Sequence, residues 1–327
     1  MTPPNPPRSD NASPLRLAML GMIDGNGHPW SWSAIVNGYD PARMSACPYP
    51  VIPRYLDAQP PGTVGIAGAR VTHLWTDRPA EAAPVAAATF IPHVVARPED
   101  VIGQVDAALI AVDDGFDHVE RARPFVEAGL PVFVDKPLAL TVADLRTFIA
   151  WHRAGARIFS SSGLRFAPEL DTLQSRLAEL GALRWISAVS CKTWARYGIH
   201  LLEPVFRILG PGFVSIRLES SSAAEIAHLV HASGAEVTLP VIKDGGATFG
   251  TLHLCGTGGQ THFQFADTYT SFRRQLVNFI AYARTGVETY PFTDTIELMS
   301  VLIAGLRSST AGGRHVPIAE IQSELAP

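Results

Sequence analysis

Short apolar runs alternate with helical segments from Arg16 to Ser160, and nothing else constrains the fold of this 327-residue chain as strongly. The runs Arg16–Leu20, Val71–Trp75, His93–Val95, Val105–Val112, Pro131–Val134 and Arg157–Ser160 read as strands. Helices are expected between them, over Trp30–Val36, Glu81–Ala88, Val119–Leu130 and Val142–Ala154. In the third of these, Val119, Ala122, Val126 and Leu130 recur at spacings of 3, 4 and 4, one face of a helix. Such alternation builds βαβ units on a mostly parallel sheet, and right-handed crossovers make that sheet doubly wound. Leu17–Leu20 and Ala107–Ala111 are apolar on both faces, as central strands covered by helices must be. Tyr39–Arg70, rich in proline and glycine, reads as an irregular insertion.

Beyond Ser160 the rhythm changes. A helix over Pro168–Leu180 leads into β-rich stretches at Leu183–Ser190, Phe213–Glu219, His228–Ile242 and Ala247–Cys255. Gly-Gly and Asp-Gly pairs punctuate them, as in antiparallel hairpins. Amphipathic helices near Ser271–Arg284 and Thr293–Ser309 follow. The expected class is α/β: a Rossmann-like doubly wound parallel sheet over residues 13–138, plus a C-terminal α+β domain over 139–327 with an open, mostly antiparallel sheet. Residues 139–160 are expected to return to the first sheet.

Hydrophobic residues make up 47% of the chain and charged residues 17%, which excludes wholesale disorder. Lysine plus arginine number 26 against 30 aspartates and glutamates, a net charge of −4, so no basic stripe for a nucleic-acid partner is expected. Cys47, Cys191 and Cys255 are odd in number and scattered; they match neither a disulfide framework nor a zinc spacing, and a reducing cytoplasm is the expected location. No run approaches the roughly 20 apolar residues of a membrane span. Met1–Ser13 lacks the apolar stretch of a secretory signal and is expected to form a short mobile tail.

The residues that carry chemistry gather at the carboxyl ends of the strands, where open α/β sheets bind ligands. Gly21, Gly25 and Gly27 follow the first strand and precede a helix, the setting in which backbone N–H groups and a helix dipole hold a pyrophosphate. Their offsets of 0, 4 and 6 are not those of G-x-G-x-x-G, and Asp24 inside the turn repels a phosphate unless it points away or pairs. A tight turn without a ligand stays open as the other possibility. Asp77 closes the second strand, placed to accept hydrogen bonds from an adenosine ribose and to disfavour a 2′-phosphate. The alternative is a helix N-cap ahead of Arg78-Pro79. Lys136 lies just past a buried strand, stiffened by Pro137, with Asp135 beside it to orient it.

Gly198-x-His200-x-x-Glu203 precedes an apolar stretch ending at Leu209-Gly210. His200 and Glu203 share a helical face. An imidazole passes protons near neutral pH, and the carboxylate is placed to fix its tautomer. A structural histidine is the alternative.

At Asp135-Lys136-Pro137 together with Gly198-x-His200-x-x-Glu203, the sequence resembles the Gfo/Idh/MocA family, which includes glucose–fructose oxidoreductase, inositol dehydrogenase and related sugar dehydrogenases. The family's E-K-P appears as D-K-P, and its G-x-H-x-x-D as G-x-H-x-x-E. Val105–Pro137 follows the family pattern, with His118 at the place of the histidine of T-P-N-x-x-H. Gly163–Pro168 resembles its R-F-x-P segment, and Phe279–Val316 its closing helices.

This resemblance implies one domain that binds NAD(P) and a second whose sheet faces the nicotinamide. It implies cofactor contacts from Gly21, Gly25, Gly27, Asp77, Asp113, His118, Asp135 and Lys136, with NAD(H) preferred over NADP(H) through Asp77 unless Arg78 pairs with the 2′-phosphate. By the same resemblance Lys136 contacts substrate and nicotinamide ribose, and His200 is the acid/base for a sugar hydroxyl. Arg165, Arg196 and Glu203 are expected on the substrate side. There are departures. Asp113-Asp114-Gly115 replaces T-P-N, and Arg196 stands where many members carry an aspartate four residues before the histidine. Arg196 is placed to bind an acidic substrate group, and Tyr197 to replace the missing acid. The expectation is an NAD(P)-dependent oxidoreductase acting on a sugar, cyclitol or sugar derivative, a homodimer or homotetramer through the C-terminal sheet, with no metal, nucleic-acid or membrane partner. A non-catalytic sugar-binding or regulatory protein, or a lyase or epimerase using transient oxidation, are the alternatives. Lys136 and His200 are expected outside the core, with His200 opening a helix.

Overall fold

The computed structural model describes residues 13–246 and 250–326. The expected tail lies outside the described residues except for Ser13, as does most of the 247–250 start of the strand expected at Ala247–Cys255. Six parallel strands, β1 (Leu15–Leu20), β2 (Ala69–Trp75), β3 (His93–Val94), β4 (Ala107–Ile110), β5 (Val132–Val134) and β6 (Ile158–Phe159), lie in the order β3-β2-β1-β4-β5-β6. The strand order reverses between β1 and β4, which opens a crevice at their carboxyl ends. Both strands are central: no residue of Leu17–Leu20 or Ala107–Ala111 is more than 2% exposed.

Helices α1 (His28–Asn37), α2 (Pro41–Met44), α3 (Val51–Asp57), α4 (Pro79–Ala88), α5 (His118–Glu127) and α6 (Val142–Arg153) accompany this sheet. Two of them, α2 and α3, lie in the insertion, which is therefore more ordered than its composition suggests. The Asp40 carboxylate caps α2, and Thr141 caps α6 by accepting the Asp144 N–H at 3.0 Å.

After α7 (Pro168–Gln174) come β7 (Leu183–Ala188), β8 (Ser190–Cys191), α8 (Trp194–Leu209), β9 (Phe213–Ser220), β10 (Ala224–His231), β11 (Glu236–Ile242), β12 (Thr251–Gly256) and β13 (Gly259–Gln264). The chain continues through α9 (Thr268–Thr285), α10 (Phe292–Thr310), β14 (Val316–Pro317) and α11 (Ile318–Leu325). The second sheet runs β13-β12-β7-β11-β10-β9-β14, with β8 beside β11; only the pairings of β7 and β8 with β11 are parallel.

Several expectations are corrected here. The helix over Pro168–Leu180 stops at Gln174, and a separate 3-10 turn covers Leu177–Leu180. His228–Ile242 is not one stretch but parts of two strands, turning at Gly234 with φ +82°, so neither Gly-Gly nor Asp-Gly marks that hairpin. The strand β13 and the helix α11 were not anticipated. His200 sits mid-helix, because α8 begins at Trp194. Gly198 does not break α8; it is a contact point, where an added Cβ would lie 2.8 Å from the Trp194 ring and 3.0 Å from Leu302. Trp194 also donates to the Leu302 carbonyl at 3.1 Å, which fixes α8 on α10 and so sets the depth of His200. Among the described residues Cys47, Cys191 and Cys255 form no disulfide, and no helix is long and apolar enough to cross a membrane.

Candidate active site

The glycine loop leaves β1 at Gly21, whose φ of +93° suits glycine, and where a Cβ would collide with Val112 of the neighbouring β4 end at 2.4 Å. Gly25 also has positive φ, +77°, and a Cβ there would meet only Lys192 Nζ, at 3.9 Å. Gly27 precedes α1 without giving it a capping side chain, and its missing Cβ leaves room for Tyr49 of the insertion. Asp24 does not face the loop's N–H groups unpaired: its carboxylate binds Arg78. Asn26 Oδ1 accepts the His28 N–H at 2.9 Å and Pro29 has none, so a phosphate on this turn would rely on the remaining N–H groups of the turn and the helix dipole. With Asp24 paired it would meet no free acid there, and on that ground the loop fits a dinucleotide despite its spacing.

Asp77 accepts the Met22 N–H at 2.8 Å and pairs with Arg121 of α5 at 2.7 Å, while its side chain keeps 24% exposure. It does not cap α4, for which no side chain serves as N-cap. His118 is corrected as a cofactor ligand. It is buried, with Nδ1 at 3.2 Å from the Leu138 carbonyl and Nε2 at 2.6 Å from the Val112 carbonyl, so it fastens two loops and has no nitrogen left over.

Lys136 follows β5 and is 3% exposed. Its Nζ lies 3.4 Å from Asp113, which also pairs with Arg196 at 2.5 Å. Burial alone would favour neutral forms, but the two cations hold the Asp113 carboxyl well below its ordinary range, and Asp113 with Asp135 holds the Lys136 ammonium up. Arg196 is thus the counter-ion of Asp113, with its Nε buried and unpaired. Asp135, fully buried, accepts from the Lys136 N–H at 2.7 Å, from Asn26 Nδ2 at 3.2 Å and lies 2.7 Å from His28 Nδ1. Burial pushes its carboxyl up, and His28 and Lys136 more than offset this.

The opposite wall comes from α8. The Lys136 ammonium lies 5.3 Å from the Tyr197 ring centre, and that ring meets the His200 ring edge-on at 4.8 Å. Lys136, Tyr197 and His200 therefore adjoin one another. Both Lys136 and His200 are buried, against expectation. Burial, reinforced by the Lys136 charge, holds His200 well below the ordinary imidazole range.

Glu203 does not orient His200. The residue that does is Ser162, whose Oγ is 2.7 Å from His200 Nδ1 and which also accepts the Leu164 N–H. Glu203 instead binds Arg165 at 2.5 Å and the Ser162 N–H at 3.1 Å. Burial raises its carboxyl even beside that guanidinium. Arg165 is also engaged with Asp294 and stacks 4.0 Å from the Tyr290 ring centre, so this pair supports the loop that carries Ser162 and is not placed at the substrate. No local pattern marks His28, Ser162 or Arg121, whose partners lie 107, 38 and 44 positions away.

Residues 54–161 match an oxidoreductase family with an NAD-binding Rossmann fold. Over 144 residues the chain is 31% identical to the putative UDP-kanosamine synthase oxidoreductase subunit of Amycolatopsis mediterranei (strain S699), covering 38% of this chain and 40% of that protein. Over 148 residues it is 34% identical to inositol 2-dehydrogenase 1 of Saccharopolyspora erythraea, covering 43% of each. The alignments thus span about two fifths of the length of these curated relatives. Over nearly the whole chain the fold is that of solved structures at low identity. The myo-inositol 2-dehydrogenase from Lactobacillus plantarum superposes with a TM-score of 0.74 at 14% identity, covering 93% of this chain and 99% of that one. GenD2 from gentamicin A biosynthesis, in complex with NAD, gives 0.71 at 16% identity, covering 96% and 99%. The match to the Gfo/Idh/MocA oxidoreductase family thus covers residues 54–161, which include the D-K-P lysine, and the likeness over the rest of the chain is one of fold.

Proposed function

We propose that the protein is an NAD(P)-dependent dehydrogenase or reductase acting on a secondary hydroxyl of a sugar, cyclitol or sugar derivative. The observation that carries this is the convergence of Lys136 from β5 with Tyr197 and His200 from α8. Gly21, Gly25 and the start of α1 would hold the pyrophosphate, and Asp77 the adenosine ribose, which disfavours a 2′-phosphate and makes NAD(H) the preferred nucleotide. When bound, the nicotinamide supplies the hydride acceptor or donor.

The protein's part is placement and proton transfer. Lys136, kept charged by Asp113 and Asp135, donates to the hydroxyl oxygen and stabilises the alkoxide character that develops as the C–H bond breaks. His200, neutral at neutral pH, accepts the hydroxyl proton; Ser162 can donate to its Nδ1 or accept from it, and so follows the tautomer. Tyr197, between the two, is the other proton carrier in reach. Arg196 closes the site by holding Asp113. Half-buried Trp185, His253 and Cys255 on the outer face of the second sheet support pairing of copies there.

Calorimetric titration with NAD⁺, NADH, NADP⁺ and NADPH, followed by turnover of a cyclitol and hexose panel read by nicotinamide absorbance, tests the proposal. Binding with turnover supports it. Binding of polyols without any nucleotide would favour a non-catalytic sugar-binding protein.

A further inference from the structure

Lys192 has no role in the chemistry above, and its geometry is unusual. Its φ is +70°, the left-handed region that a non-glycine residue enters at a cost of about 1 kcal/mol or more. The position is over-determined. Cys191 pairs with Ile242 in the β8–β11 ladder, and the Lys192 N–H donates to the Ile242 carbonyl at 2.9 Å. From there the side chain runs away from the second sheet and crosses the cleft. Its Nζ sits 4.3 Å from the Tyr197 ring centre and 3.9 Å from the point that a Cβ on Gly25 would occupy.

The ammonium reaches the glycine loop without a counter-charge. The nearby cations Lys136 and Arg196 share Asp113, and the loop's own acid, Asp24, is taken by Arg78. Among the described residues no carboxylate lies within ion-pair distance of Lys192. The Tyr197 ring face steadies the cation but does not neutralise it.

We infer that Lys192 is a phosphate clamp: reaching from the second sheet to Gly25, it grips the pyrophosphate of a dinucleotide lying on the glycine loop. This rests on the nucleotide site proposed above. It means that both halves of the molecule hold one cofactor anion, and that a lysine, a compact point charge, takes a role that backbone N–H groups otherwise fill alone.

The test is calorimetric titration of NADH and of ADP-ribose, which keeps the pyrophosphate but lacks the nicotinamide, against wild type, Lys192→Gly and Lys192→Arg. Glycine removes the ammonium and also the backbone strain, so Lys192→Gly should melt no lower than wild type. It should nevertheless bind both ligands about tenfold more weakly, the effect of one charge-assisted hydrogen bond. Lys192→Arg should retain most of the affinity, and added salt should weaken wild type more than Lys192→Gly. Unchanged ADP-ribose affinity in Lys192→Gly overturns the inference, whether or not NADH binding falls, because the anion gripped would not be the pyrophosphate. A wild type that binds neither ligand overturns the nucleotide site itself, and that failure is visible before any variant is made.

Discussion

His28 Nδ1 lies 2.7 Å from Asp135 Oδ2, joining the first residue of α1 to the end of β5. The imidazole stacks on Trp32 at 4.1 Å and meets Phe272 edge-on at 5.5 Å, so its orientation is fixed on three sides. The pair ties the glycine loop to the residue before Lys136, and a change in one should be felt at the other.

Asp135→Asn should therefore act on both. The carboxylate accepts three donors, from Asn26, His28 and Lys136, and an amide NH₂ must turn toward at least one of them. Loss of a buried charged acceptor costs about 2–3 kcal/mol. We expect that loss in urea unfolding, together with weaker NADH binding. His28→Gln should show the weaker nucleotide binding with a smaller loss of stability. Equal NADH affinity in both variants would show that the dyad does not support the loop.

Lys136→Met should lower turnover by about 10²- to 10³-fold, the loss of one donor to the developing alkoxide. Because the site is closed, it should also lower stability. Asp113 would stay buried with Arg196 as its one remaining partner, and breaking a buried pair costs about 3–5 kcal/mol. The remaining Arg196 contact puts the expectation near the lower bound. Adding Asp113→Asn to Lys136→Met should recover part of the stability but none of the turnover. Urea unfolding of the three variants checks this, and a fully stable Lys136→Met would mean that water reaches Asp113.

How much of this was legible in the sequence differs from element to element. The apolar runs at Leu17–Leu20 and Ala107–Ala111 announce central strands because burial on both faces leaves no polar position. Lys136 was legible for a related reason, since a charge directly after Val132–Val134 must stand at a strand end. Helix α8 was harder to see. Gly198 looks like a breaker until Trp194 and Leu302 fill the space a Cβ would take. The helical spacing of His200 and Glu203 correctly placed them on one face, but a shared face is not a contact. The Ser160–Phe166 loop inserts Ser162 and Arg165, and each captures one of the pair. Lys192 and His28 carry no local signal, because their partners Gly25 and Asp135 are supplied by another part of the chain.

The depressed imidazole of His200 sets a pH dependence. A histidine with its folded-state pKa below the unfolded value of about 6.5 binds fewer protons when folded, so stability rises with pH below that point. The contribution is complete above about pH 6.5 and declines as the unfolded state takes up its proton. The depressed carboxyls of Asp113 and Asp135 act in the same direction at lower pH; their contribution is present above about pH 3.9 and lost as pH falls further. The melting temperature should therefore fall first between neutrality and pH 5, and more steeply in acid. His200→Gln should flatten the first decline and leave the second. An identical decline in both proteins would assign it to another histidine.

On the proposed function, nucleotide choice should turn on the Asp77–Arg121 pair. Asp77 keeps 24% side-chain exposure while holding Arg121 at 2.7 Å and the Met22 N–H at 2.8 Å. On the proposed function the carboxylate would face the ribose hydroxyls and keep the Arg121 charge from a 2′-phosphate. Asp77→Ala should weaken NADH by about tenfold through the lost charged hydrogen bonds. It should also strengthen NADPH, since Arg121 is then released from Asp77, and Arg78 stands beside it on the exposed side. Arg121 would keep Asp117 as a partner at 2.6 Å, which limits how far it can turn. The double change Asp77→Ala with Arg121→Ala should lose the NADPH gain while leaving NADH as weak as in the single variant. Fluorescence titration of the two nucleotides against the three proteins separates these outcomes. If Asp77→Ala alters neither affinity, the adenosine ribose does not lie at the end of β2; if the gain survives removal of Arg121, Arg78 supplies the phosphate contact.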